Sequence, residues 1–277
     1  MTLASSIYKK AYYRSLNFIL PRRELRFESP NRSKKNIFIY FDYEREFSGY
    51  ETKISDAEIR KILDLLDKSS ILTTWFTVGK VFDKYQDSVK DIISRGHEIA
   101  SHTYAHIPPL YAAKKILRKD FELFYKTSNS IAHVNGFHSP TGKWSMKSMK
   151  YLKEYNYSYD IISCSKNKNC KPHYLWTGLN SRMLRLYTYG DDWPLFKGNG
   201  TAKHVLEHYM ELIRRIEPGS VGGLGFHPWV LYSNKEILKG FTDLLVYLAN
   251  LDDVELKPAQ FFADLLSTKF EIPVKSQ

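Results

Sequence analysis

The sequence predicts an α/β protein, either a parallel β/α barrel or a doubly wound sheet, on three observations. Short apolar, β-rich runs alternate with amphipathic helical segments over most of the 277 residues. No internal repeat or low-complexity linker breaks that alternation. Titratable residues stand where the apolar runs end, at Asp42 and Glu44, His102 and His106, Asp160, and His227, and strand ends are where α/β proteins keep their chemistry.

Taken in order, Ile37–Phe41 is a continuous apolar run, the signature of a buried central strand, and it ends in Asp42-Tyr43-Glu44. Side chains alternate along a strand, so Asp42 and Glu44 face the same way. Two like charges there repel unless a cation lies between them. Ser55-Asp56-Ala57-Glu58 is a capping box, opening a helix that buries Ile59, Ile62, Leu63 and Leu66. Leu72–Val78 reads as the second strand and Phe82–Ser94 as one helix. After the turn at Arg95-Gly96, Glu98-Ile99-Ala100 delivers His102. A single helical turn would put His102 and His106 on one side, with Pro108 stopping it, a geometry suited to two ligands of one metal ion. The pattern continues with a helix over 112–132, a short strand into Gly136–Gly142, a helix over 145–155 and a strand into Tyr159–Ile162. It loosens between 163 and 200, around the strand-like Met183–Tyr189 and the turn-rich Gly190–Pro194. A helix over 202–216, a strand over 221–227, a helix capped by Ser233–Glu236, a strand Val254–Leu256 and a last helix to Leu266 complete one domain, residues 36–270.

Composition narrows the function class. Cys164 and Cys170 are too few for a disulfide framework and match no structural zinc spacing, so two free thiols in a reducing compartment are expected. Ile7–Leu20 is broken by Lys9, Lys10 and Arg14, so no secretory or membrane-spanning run is read there and a cytoplasmic location is expected. The net charge of +11 is interleaved with 30 acids and accompanied by no nucleic-acid motif, so no nucleic-acid partner is expected. Residues 1–35 form a basic, aromatic arm, suited through residues 7–35 to peripheral contact with an anionic membrane, or equally to a solvated arm or packed helix.

A barrel gathers its strand ends at one mouth. One carboxylate and two imidazoles form a common ligand set for a hydrolytic zinc site with an open position for water. A second carboxylate would serve as general base and an opposing His would protonate a leaving amine. The parts are all present.

These residues resemble the polysaccharide deacetylases of carbohydrate esterase family 4, from about Ile37 to about Val230. Phe41-Asp42-Tyr43-Glu44 looks like the first motif, His102-Thr103-Tyr104-Ala105-His106 the second, Phe137–Gly142 the third, Tyr159-Asp160 the fourth and Phe226–Trp229 the fifth. The resemblance implies a distorted (β/α) barrel of seven or eight parallel strands. It also implies a metal, zinc or another divalent ion, on Glu44, His102 and His106. Asp42 would be the base, His227 the acid and the Thr141 amide an oxyanion donor, with His138 and Trp229 on the substrate and Asp160 supporting. The same-face argument favours Asp42 as base, and the reverse assignment with Glu44 stays open. The sequence departs from the family where Tyr43 separates the two acids, where His138 replaces an Arg that orients the base, and where Pro228 follows His227 in place of an acid. Trp144, Trp193 and Trp229 are further candidates for stacking on sugar.

The implied reaction is hydrolysis of an acetyl or formyl group from an amino sugar of a surface polysaccharide. Without a secretion signal, the expected substrate is an intracellular precursor, lipid- or nucleotide-linked. Two rivals stand beside this reading. One is a zinc peptidase built on His204-Val205-Leu206-Glu207-His208, although Val205, Tyr209, Leu212, Ile213 and Ile216 form that helix's buried face and leave both His off it. The other is an inactive or metal-free barrel that binds glycan, prompted by the missing Arg.

Overall fold

The computed structural model describes residues 23–24, 33–49, 54–143, 145–165, 170–178, 181–198 and 200–267. Most of the arm, residues 7–35, and Trp144 therefore lie outside the described residues.

The elements in chain order are β1 (Arg23–Glu24), β2 (Lys35–Tyr43), α1 (Asp56–Lys68), β3 (Thr74–Thr77), α2 (Gly79–Lys84), α3 (Gln86–Ser94) and β4 (Glu98–Ser101). There follow α4 (Lys114–Ser128), β5 (Gly136–His138), α5 (Met146–Glu154), β6 (Tyr159–Ser163), β7 (His173–Gly178), β8 (Ser181–Gly190) and α6 (Trp193–Lys197). The chain continues through α7 (Ala202–Arg214), β9 (Val221–Phe226), α8 (Pro228–Leu231), α9 (Lys235–Ala249), β10 (Val254–Leu256) and α10 (Ala259–Ser267). The strands β2, β3, β4, β5, β6, β8 and β9 pair in parallel in that order, and β9 pairs back onto β2, closing a barrel of seven parallel strands. Strand β10 adds in parallel to β2, while β7 and β1 extend antiparallel from β8.

Alternation along the strands sorts the core into two layers. On β2, Ile37, Ile39, Phe41 and Tyr43 pack outward under the helices, while Phe38 and Tyr40 fill the barrel with Phe76, Ala100, Tyr159, Ile161, Leu184 and Leu186. Helix α10 plugs the lower end with Ala259, Phe262 and Ala263. Strand β9 places glycine at its inward positions 223 and 225 because its neighbours fill that space. A Cβ on Gly223 would lie 2.4 Å from the Phe38 ring, and one on Gly225 2.3 Å from the Tyr40 hydroxyl.

The predicted helix over 82–94 is two helices, α2 and α3, broken at Tyr85, whose φ of −128° and ψ of 42° leave the helical region. The cap of α9 is Asn234, which accepts the Glu236 amide. The cysteines are not free thiols: Cys164 and Cys170 form a disulfide with Cα atoms 5.8 Å apart. Spacing along the chain carries no information about that distance; the end of β6 and the approach to β7 bring the two together.

Candidate active site

The same alternation builds the site. Asp42 continues the inward series of Phe38 and Tyr40, His102 follows inward Ala100, and His227 follows inward Gly225. They meet at the carboxyl end of the barrel in a cavity of about 360 Å³, whose lining also includes Glu44, His106, His138, Thr141, Trp193 and Trp229.

His102 and His106 do not share a helical turn. Thr103 and His106 adopt left-handed φ values of 65° and 54°, so the chain folds back in an irregular loop. Thr103 Oγ1 accepts the Ile107 amide, and buried Asp120 of α4 accepts the amides of Tyr104 and Ala105 at 2.8 and 2.9 Å. Burial raises the Asp120 carboxyl to about 6 against the pull of those two amides. His102 Nδ1 donates to the His138 carbonyl at 2.9 Å, which turns Nε2 toward Glu44.

Glu44 Oε1 lies 3.4 Å from His102 Nε2 and 3.0 Å from His106 Nε2. Two ligands about 2.1 Å from a shared ion, at angles between tetrahedral and octahedral, stand roughly 3.0 to 3.4 Å apart, so these three residues fit a divalent metal. Burial would raise the Glu44 carboxyl, but hydrogen bonding to His102 and His106, with the charge of His227, holds it well below the carboxylate range. Burial likewise opposes ionisation of Asp42, and the His138 and His102 imidazoles outweigh it, so Asp42 stays ionised. Among the described residues, each group of three or more metal-capable side chains draws on Asp42 or Glu44.

His138 stands where the resemblance expects Arg. Its Nδ1 lies 2.9 Å from Asp42 Oδ1 and so orients that carboxylate. Its Nε2 is buried without a partner among the described residues, and its ring lies against Tyr40 and Phe76.

Asp160 is not part of this cavity. Tyr159 and Ile161 point into the barrel, so Asp160 points outward, where it forms a buried pair with Arg185 at 2.9 and 2.5 Å. The acid that supports His227 is Asp192, which the sequence reading missed. Asp192 lies in the turn after β8, takes His227 Nδ1 at 2.6 Å and accepts the His227 amide at 2.8 Å. Burial would hold the imidazole neutral, but the Asp192 carboxylate overrides it and raises His227 well above its ordinary value. His227 Nε2 faces the cavity 3.8 Å from Asp42 Oδ2. The signal available in the sequence was the dipeptide Asp191-Asp192 straight after a strand.

Trp193 and Trp229 form one wall, edge to face at 6.0 Å. Thr141 sits on the rim with a left-handed φ of 72°, and Gly142 follows at 62°. A Cβ on Gly142 would meet the Ser163 hydroxyl at 2.2 Å, so the turn is pressed onto the end of β6. The rival motif disperses along α7: His204 closes a capping box with Thr201, Glu207 pairs with Lys203, and His208 Nε2 reaches the Asp191 carbonyl at 2.9 Å.

A family model described as polysaccharide deacetylase matches residues 29–159. Over that segment this chain is similar to the polysaccharide deacetylase family. It is 25% identical over 146 residues to the peptidoglycan deacetylase of Helicobacter pylori, covering 50% of this chain and 48% of the relative. With the peptidoglycan-N-acetylglucosamine deacetylase of Bacillus cereus it shares 30% identity over 115 residues, covering 37% and 42%. The chain thus spans about half the length of the curated relatives it matches. A Mycobacterium smegmatis protein provisionally described as a polysaccharide deacetylase shares its fold with a TM-score of 0.76 at 20% identity, over 93% of this chain and 98% of that one.

Proposed function

We propose that this chain hydrolyses the N-acetyl group of an amino sugar in a polysaccharide, with peptidoglycan as the first substrate to test. The observation that carries the reading is the convergence of Asp42, Glu44, His102, His106 and His227 on one cavity with partners that set their protonation states. Curated relatives named for peptidoglycan deacetylation support the substrate class.

Glu44, His102 and His106 would hold the metal, for which zinc suits the donor set, and when bound it would acidify a water and polarise the amide carbonyl. Asp42, ionised and oriented by His138, takes the water's proton. The Thr141 amide on the rim is the candidate donor to the oxyanion. His227, protonated through Asp192, gives its proton to the departing amine, so the base and acid roles fall to groups with opposite charge at neutral pH. Trp193 and Trp229 offer apolar faces to a pyranose ring. The Cys164–Cys170 disulfide supports an oxidising compartment, and with it a finished polymer outside the cytoplasm in place of an intracellular precursor.

The test is acetate release from N-acetylglucosamine oligomers and from peptidoglycan by the zinc-supplemented protein, with Asp42→Asn as control. Release lost in Asp42→Asn supports the reading. Bound zinc without release on either substrate overturns it in favour of a glycan-binding barrel.

A further inference from the structure

We propose that the flank formed by α4 (Lys114–Ser128) and α5 (Met146–Glu154) is a docking surface for an anionic phospholipid membrane. Charge is segregated in this chain. Residues 110–155 hold nine Lys and Arg against three acids, residues 1–35 nine against two, and the rest of the chain 23 against 25. The body of the barrel is therefore slightly acidic, and the net charge of +11 comes from two segments.

Most basic residues of the second segment lie on two helices that pack against each other. Helix α4 buries Leu117, Asp120, Phe121 and Phe124, and α5 buries Met149, Tyr151 and Leu152. The two helices meet through the ring contacts Phe121–Tyr151 and Tyr125–Tyr155. Lys115 and Lys119 of α4 and Lys150 and Lys153 of α5 are left exposed. One of the three acids, Asp120, is buried, and a second, Glu122, is paired with Lys126.

Charge alone would suit any polyanion, and the apolar residues decide for a bilayer. Of the seven large apolar side chains exposed among the described residues, Tyr111, Ile116, Tyr125 and Met146 lie in this segment, at 49, 53, 44 and 42% exposure. Single exposed apolar residues need no explanation, but four of them interleaved with lysines along one segment offer the interfacial combination of apolar side chains at headgroup depth with cations on phosphates. The flank begins at the rim of the cavity, where Lys143, next to Gly142, donates to the Tyr111 hydroxyl. At the sheet edge β1 (Arg23–Glu24) pairs with β7, on which α5 packs.

The test is co-sedimentation of the full chain with vesicles of phosphatidylcholine alone and of phosphatidylcholine mixed with phosphatidylglycerol, at about 0.1 M salt. Sedimentation is expected only with the anionic vesicles. The double variant Lys115→Glu/Lys150→Glu, with an unchanged circular dichroism spectrum, should bind about tenfold less or weaker still. Met146→Ser should weaken binding several-fold at constant charge. Wild type and variants all carry the arm, so the difference between them reads the flank. Equal binding to neutral vesicles, or variants that bind like wild type, would overturn the proposal. It would also fail if dextran sulfate bound as tightly as vesicles and Met146→Ser changed nothing, which would make the partner a soluble anionic polymer.

Discussion

Asp192 Oδ1 stands 2.6 Å from His227 Nδ1, while the other oxygen of the same carboxylate accepts the His227 backbone amide at 2.8 Å. One side chain therefore fixes the tautomer, the orientation and the charge of the imidazole that faces the cavity. Because the acid must be protonated to work, and Asp192 raises its pKa, activity should persist into alkaline pH and fall as pH rises through the raised value. In Asp192→Asn the burial that opposes the charge would be countered only by the more distant Glu44 and Asp42 carboxylates. The alkaline limb of the kcat/KM profile is then expected to move to lower pH, with kcat at neutral pH reduced by about 10²-fold to 10⁴-fold. An unmoved alkaline limb in a pH–rate measurement would show that Asp192 does not govern this proton.

Metal content should follow Glu44, His102 and His106. Alanine at any of the three is expected to abolish stoichiometric zinc by elemental analysis, while His204→Ala retains it. At a free metal concentration about a thousandfold above Kd, binding contributes about 4 kcal/mol, or a Tm shift of about 10 °C. Chelation should therefore lower the melting temperature of the wild type and leave that of His102→Ala unchanged in a calorimetric scan.

His138→Ala should keep the metal and lose rate. Removing the imidazole takes away the hydrogen bond that orients Asp42 and a charge partner that keeps it ionised. A loss of kcat of about 10-fold to 100-fold with little change in KM is expected for misplacement of a base. Steady-state kinetics beside a metal assay would check it, and a pure KM effect would count against the positioning role.

Arg185→Ala should be costly to the fold and silent in the cavity. It would leave Asp160 buried without its bidentate partner, a change that costs about 3–5 kcal/mol. A large drop in urea midpoint is expected, with kcat at low temperature close to wild type. The converse result would return Asp160 to the catalytic machinery.

The limits of the sequence reading have physical causes. Asp42 and His227 were legible because a period of two carries a side chain's direction to the end of its strand. Asp160 reads in the sequence as one more strand-end site residue, whereas the period of two puts it on the outer face between inward Tyr159 and Ile161, where it pairs with Arg185. Asp192 follows β8, where the regular alternation of strand and helix gives way to the β7–β8 hairpin. The His pair was legible as chemistry but not as backbone: its four-residue spacing fits a helical turn, yet a side-chain hydrogen bond within the loop and Asp120 from α4 hold a left-handed loop. The disulfide depends on a spatial approach that the composition does not encode.

The barrel closes through β9, which pairs with β2 on one side and β8 on the other. The residues that would hold the metal all precede residue 107, whereas Asp192 and His227 arrive with the last two strands of the ring. The proposed acid is thus the part of the site that depends on closure of the ring: the proposed ligands and base lie at the end of β2 and just after β4, whereas Asp192 and His227 reach the cavity from the ends of β8 and β9. Opening the seam between β9 and its neighbours would take the proton donor away from a ligand set that β9 does not carry.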